Sequence, residues 1–297
     1  MATTLLPWID IEKLNWRTLS LNPGAINLLE ANPDRIDWTW LSGNAAAIHL
    51  LESNSDKINW TCLSANPAAI HLLEANPDKI DWEELSANPS AIHLLETNQD
   101  KINWEYLSAN SSAIHLLEAN QDKIDWGVLS QNPTAIHLLE ANQNKIHWGW
   151  LSQNPSAIHL LEANPDKIVW RLLSRNTLAL HLLEANQDKI NWRILSENPA
   201  ANHLLEANTD KINCGWDLLC KNTFAIYLLE ANQDKINWYW LSRNPSIFQY
   251  DYDAMKKKCG TFKEDLIKDR FHPRNLIAGK FKDWGIDGFD SDSEDEL

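Results

Sequence analysis

The chain has 297 residues, with 41 acidic and 26 basic side chains and a formal net charge of −15. That balance argues against general nucleic-acid binding, which needs cations to neutralise phosphates. Four cysteines (Cys62, Cys214, Cys220, Cys259) show neither a disulfide framework nor paired metal spacing, the pattern expected of a reducing compartment.

The opening stretch, MATTLLPWIDIEKL, lacks the basic start of a secretory signal and has acids early. No apolar run reaches membrane-spanning length. A cytoplasmic setting is the expectation. Residues 12–18 (EKLNWRT) form a partial unit of the repeat that follows, so residues 1–18 are read as an N-terminal partial repeat or cap.

From there the chain is periodic. Counted from the leucine of LSxN, units begin at Leu19, Leu41, Leu63, Leu85, Leu107, Leu129, Leu151, Leu173, Leu195, Leu219 and Leu241. The step is 22 residues, except for 24 from Leu195 to Leu219. Ten units are complete, and residues 241–249 begin another.

Each unit reads as two short helices. In the unit around Trp82, Asp81 is a helix N-cap, and residues 82–87 follow as the first helix. Asn or Asp fills most equivalent cap slots; His147 and Val169 are exceptions. Asn88-Pro89 opens a second helix that runs through SAIHLLE and stops at Asn98, in a left-handed C′ conformation. PDK or QDK then makes the turn. Helices this short are unstable alone and must stack. The expected fold is all-α: an α-solenoid of ten complete 22-residue two-helix repeats over residues 19–249, with a C-terminal helical cap. At a helix spacing of roughly 8–10 Å, ten units in an open row would extend about 80–100 Å.

Most of the sixteen tryptophans occupy one repeat slot and read as core rather than as a base-stacking set. A histidine also recurs, at His49, His71, His93, His115, His137, His159, His181 and His203. At about 100° per residue it falls opposite the apolar face of the second helix. It therefore edges the surface or touches the next unit's turn. Neighbours about 8–10 Å apart cannot share a metal ion held at about 2 Å. A structural hydrogen bond is the favoured reading; partner contact and pH sensing are the alternatives. The equally regular glutamates and lysines read as solvated faces with weak exposed ion pairs.

Variation is concentrated just after the tryptophan and just after LS, four residues apart and on one face of the first helix. Along the chain this stripe passes from Glu83 and Glu105 to Arg171, Arg175, Arg193, Lys221 and Arg243. These seven are the candidate contacts of a protein partner laid along the solenoid, centred on Arg171, Arg175 and Arg193. Neutral drift at exposed sites is the competing account.

After residue 249 the repeat stops. Residues 250–289 are locally basic and read as a helical cap over the last unit, or as a docking segment. The tail DSDSEDEL (residues 290–297) reads as disordered and acidic, with Ser291 and Ser293 in the setting favoured by casein kinase 2-type kinases. No nucleophile–base set, phosphate-cradling glycine loop or metal cluster stands out. The expectation is accordingly a non-enzymatic protein, with no catalytic residues, no cofactor and no metal. The sequence does not fix an oligomeric state.

The tandem LSxNPxAIHLLEANxDKIxW units resemble uncharacterised repeat proteins of giant, nucleocytoplasmic large DNA viruses. The segment DRFHPRNLIAGKFKDWGID (residues 269–287) is similar to tails of such proteins. The resemblance implies a setting, host cytoplasm or virus particle, and no activity. Three roles fit that setting: a protein-binding scaffold, an adaptor docking a target to host ubiquitin-ligase machinery through the C-terminal segment, and a structural particle component.

Overall fold

A computed structural model describes residues 3–212, 214–252 and 255–257. The chain divides into two units, Thr3–Gln249 and a second comprising Met1–Ala2 with Tyr250–Leu297. The repeats lie in the first. Most of segment 250–289, together with Ser291 and Ser293, falls outside the described residues.

The solenoid is all-α in the repeat pattern expected. The first helix of the central example is Trp82–Ser86, capped by Asp81, whose carboxylate accepts the Glu83 and Glu84 amides at 3.2 and 3.3 Å. His147 caps as well, its Nδ1 accepting the Trp150 amide at 3.1 Å. Val169 has no side chain able to do so and makes no cap bond. The second helix is shorter than expected: Ile92–Thr97, entered through a turn after Asn88. Asn98 ends it at φ −132°, not in the left-handed region. The PDK turn is a single 3₁₀ turn, Pro77–Lys79.

Burial follows the period. Leu85, Ala91 and Leu95 are fully buried, and so are their counterparts along the chain. Burying each leucine contributes about 1.5–3 kcal/mol, but only because the next unit covers it.

What fixes one unit upon the next is the polar half of LSxN. Ser42 Oγ donates to the Trp38 carbonyl at 2.7 Å and accepts the Asn59 amide of the following unit at 2.9 Å. Asn110 Nδ2 donates to the Ser86 and Asn88 carbonyls at 3.0 and 3.1 Å, while its Oδ1 accepts the Ser112 amide at 3.0 Å. These serines and asparagines are buried to 3% exposure or less. Every buried side-chain polar atom among the described residues is satisfied. Such groups are costly to leave unmade, so they hold register as well as energy.

The same bonds join the last unit to the first. Asn15 N–H donates to Ser242 Oγ at 2.8 Å, as Asp37 N–H does to Ser20 Oγ at 3.0 Å. Asn22 Nδ2 donates to the Ser242 and Asn244 carbonyls at 2.9 and 3.0 Å, as Asn44 does to Ser20 and Asn22 at 3.0 and 3.1 Å. Lys13 lies over Trp238, the place Lys57 takes over Trp38. The Leu6 amide donates to the Ile247 carbonyl at 2.9 Å, beside a strand pairing of Thr3–Leu5 with the strand that begins at Phe248. The solenoid within Thr3–Gln249 is therefore a closed ring, not an open row of 80–100 Å. Its two partial ends complete each other.

First helices of neighbouring units touch directly, Trp38–Ser42 on Trp60–Ser64 and Trp60–Ser64 on Trp82–Ser86. Second helices of neighbouring units approach each other less closely and are bridged by side-chain pairs such as His93 and Glu74. In a closed ring the closer row has the smaller radius, so first helices form the inner row and second helices the outer rim.

Candidate interaction surface

The two variable slots lie on the inner row. Their neighbours in adjoining units stand beside each other, so the stripe is a continuous band of side chains. Glu83 and Glu105 are exposed. The Tyr106 hydroxyl bonds to Glu83, and that bond, with the negative charge of Glu83, raises the phenol above its ordinary range.

The basic sector is less free than its sequence suggests. Arg175 Nη2 lies 2.9 Å from Glu197 Oε2, and its Nη1 donates to Gln153 Oε1 at 3.2 Å. Arg193 Nη2 lies 2.8 Å from Asp217 Oδ2, and its Nε donates to the Cys214 carbonyl at 3.0 Å. Lys221 Nζ is 3.7 Å from Glu197 and 3.8 Å from the centre of the Trp240 ring. Among the described residues, Arg171 and Arg243 make no ion pair. The structure thus brings Arg175, Arg193 and Lys221 into internal networks and leaves Arg171 and Arg243 exposed, without an ion pair among the described residues. Glu197 and Trp240 join this surface. The alternation of Arg175, Glu197 and Lys221 in one slot was the signal for the first; nothing in the sequence pointed to Trp240 beneath a lysine.

The outer rim differs. Each rim histidine donates from Nε2 to a glutamate of the preceding unit: His93 to Glu74 at 2.8 Å, His115 to Glu96 at 2.8 Å, His203 to Glu184 at 2.7 Å. The partner is thus a glutamate behind, rather than the turn ahead. At the irregular unit Tyr227 takes the slot and bonds Glu206; burial, then that bond, push its phenol up to about 12. The lysines do not pair with the glutamates. They lie over the tryptophans, Lys79 over Trp60 at 4.6 Å and Lys101 over Trp82 at 4.4 Å. The tryptophans are partly buried against the core and shield the lysine stems.

The insertion of two residues leaves a tight approach. A side chain on Gly215 would collide with the Ser196 hydroxyl, so the 24-residue step depends on glycine there. Burial raises the Cys62 thiol, helped by Glu84 and Asp37, and pushes Cys220 up to about 11. Both are thiols rather than thiolates at neutral pH. Among the described residues no three His, Cys, Asp or Glu side chains gather as a metal site, and no helix is long and apolar enough to cross a membrane.

A family model described as periplasmic copper-binding protein (NosD) matches residues 25–193. That is more than half of the chain. By this match the chain belongs to the NosD family. The matched stretch consists of consecutive repeats on the two rows described above, and it ends at Arg193, before the insertion. No curated protein and no solved structure matches the chain.

Proposed function

We propose that the protein is a non-enzymatic ring scaffold that holds a protein partner on its inner row. The observation that supports this most is the separation of roles within a unit. Buried serine and asparagine fix the frame, while exposed changes of charge are concentrated in two slots of one face. The acidic sector at Glu83 and Glu105 and the basic sector around Arg171 and Arg193 give the band a direction, so one partner polarity is favoured. Copper binding, which the family's name describes, is not part of this reading: the rim histidines are engaged with glutamates, and among the described residues no three such donors gather. The resemblance to giant-virus repeats supports a host-cytoplasm or particle setting.

The test is affinity capture from infected cells with quantitative mass spectrometry. The wild type is compared with Arg171→Glu/Arg193→Glu and with Glu83→Lys/Glu105→Lys. A specific partner should fall at least about tenfold with one reversal, the scale of a lost interfacial charge pair. Capture indifferent to both reversals would sink the reading.

A further inference from the structure

The slot after LS carries a charge sequence around the ring that is broken at one place. Glu197 sits between two cations, Arg175 at 2.9 Å and Lys221 at 3.7 Å. The next rung after Lys221 is Arg243, with no acid between them. Beyond Arg243, across the closure, the slot passes to Leu21 and Gly43, neither of which is charged. Two cations are thus neighbours where the preceding rungs alternate. Between them is a cavity of about 280 Å³, lined by Glu197, Lys221, Trp240, Arg243, Asn244 and Pro245.

The lining is not equally available. Asn244 uses its amide on the Cys220 and Asn222 carbonyls and its oxygen on the Ser246 amide. The carboxylate of Glu197 is already neutralised from both sides. Lys221 is held over Trp240 at 3.8 Å. Arg243 has no carboxylate partner among the described residues. What the cavity offers a ligand is a guanidinium fork, an ammonium and the indole of Trp240.

We propose that this cavity binds a small phosphate-bearing molecule, its oxyanion between Arg243 and Lys221 and a compact organic body against Trp240. An anion placed there restores the alternation that Arg175, Glu197 and Lys221 begin, and it relieves the repulsion between the two cations. Arginine matches phosphate oxygens with two parallel N–H bonds, while lysine adds a point charge. The volume of about 280 Å³ lies just below the usual range of ligand pockets, so it suits a small phosphate-bearing group. The cavity shares Lys221 and Arg243 with the candidate partner contacts, but phosphate binding there needs none of Glu83, Glu105, Arg171 or Arg193, the residues on which the partner reading is tested.

The experiment is calorimetric titration of the full-length protein, at fixed ionic strength, with inorganic phosphate and with phenyl phosphate. Saturable binding of phenyl phosphate is expected, tighter than inorganic phosphate because of Trp240. Arg243→Gln and Lys221→Gln should each weaken it by about tenfold or more, a charge-assisted bond's share. Arg243→Lys should weaken it less. Arg171→Gln makes the same change of net charge outside the cavity and should leave binding within about twofold. Circular dichroism checks that each variant folds; Arg243 is exposed, and its side chain supports no buried bond. Binding of inorganic phosphate alone would overturn the organic part of the proposal. Absence of saturable binding, indifference to Arg243→Gln, or an equal loss in Arg171→Gln would overturn all of it.

Discussion

The inner row and the outer rim are built from the same unit, yet they differ in what repeats. On the rim, eight histidines meet eight glutamates at 2.7–2.9 Å, almost without exception. On the inner row the slot after tryptophan holds Thr61, Glu83, Gly127, Arg171, Asp217 and Tyr239 in turn. The difference teaches that uniformity and necessity are separate matters. Neither row sets the register, because buried serine and asparagine at the junction between them do so. The rim can be uniform through duplication alone, and the inner row can vary without cost to the frame.

Breaking the junction should therefore have the largest effect. Asn110→Ala removes three hydrogen bonds and strands the buried Ser86 carbonyl, while the Asn88 carbonyl keeps the Ala91 amide at 3.1 Å; the loss is about 3 kcal/mol. Asn22→Ala removes the same set across the closure, where its partners are Ser242, Asn244 and Gly24. In a closed ring the two substitutions cost alike in urea denaturation. If the ends were free in solution, Asn22 would be a solvated terminal residue and its replacement would cost under about 1 kcal/mol. The pair of measurements tests closure directly.

Closure was also the main thing that sequence reading missed. The period, the two helices, the Asp81-type caps and the buried Leu85, Ala91 and Leu95 follow from apolar spacing and cap chemistry, which are local. Closure depends on a small rotation per unit, accumulated over the whole chain, and no single unit displays it. A signal existed in the ends: residues 12–18 supply a first helix without a predecessor, and residues 241–249 stop where a second helix should begin. Phe248 starts a strand there instead. The inner-row residues were legible as a stripe, because variation is visible in sequence. Their pairing was not, since Arg193 reaches Asp217 only through a step of 24 residues. The lysines were misread as ion-pair partners because face and spacing alone do not separate a carboxylate from a tryptophan as the neighbour of Lys101.

The irregular unit sharpens the comparison at high pH. Cys220 stands where the other units have serine, and its Sγ accepts the Asn237 amide at 3.4 Å. Burial pushes its thiol up to about 11, against an ordinary 9.0. The unfolded chain therefore loses this proton first. Stability is unaffected below about pH 9 and falls as pH rises toward 11, by up to about 2 kcal/mol. Tyr227, pushed up to about 12, extends the same loss upward from about pH 10. In Cys220→Ser the fall between pH 9 and 11 should shrink in thermal melts, since serine stays neutral. An unchanged alkaline limb would assign it to other groups.

Smaller effects belong to the surface rows. Lys101→Ala removes a cation over the Trp82 ring and the stem that covers it, which should cost about 0.5–1 kcal/mol. Lys101→Met keeps the stem and should recover part of that loss, so the two variants separate packing from charge.

The rim pair should matter least. His93 is 54% exposed and Glu74 48%, so the attraction across their 2.8 Å contact is set against nearly full hydration of both groups in the unfolded chain. His93→Asn imitates the first unit, where Asn27 fills the slot, and should change stability by no more than about 0.5 kcal/mol in urea. Replacing all eight histidines then tests whether the rim is more than a set of independent weak pairs. Each second helix from Ile48–Glu52 to Asn202–Ala207 carries both a histidine and a glutamate, so the pairs join into a chain along the rim, and a shared constraint would show as a loss beyond eight times the single effect. A proportional loss would make the rim an inherited decoration on a frame held by Asn110 and its counterparts.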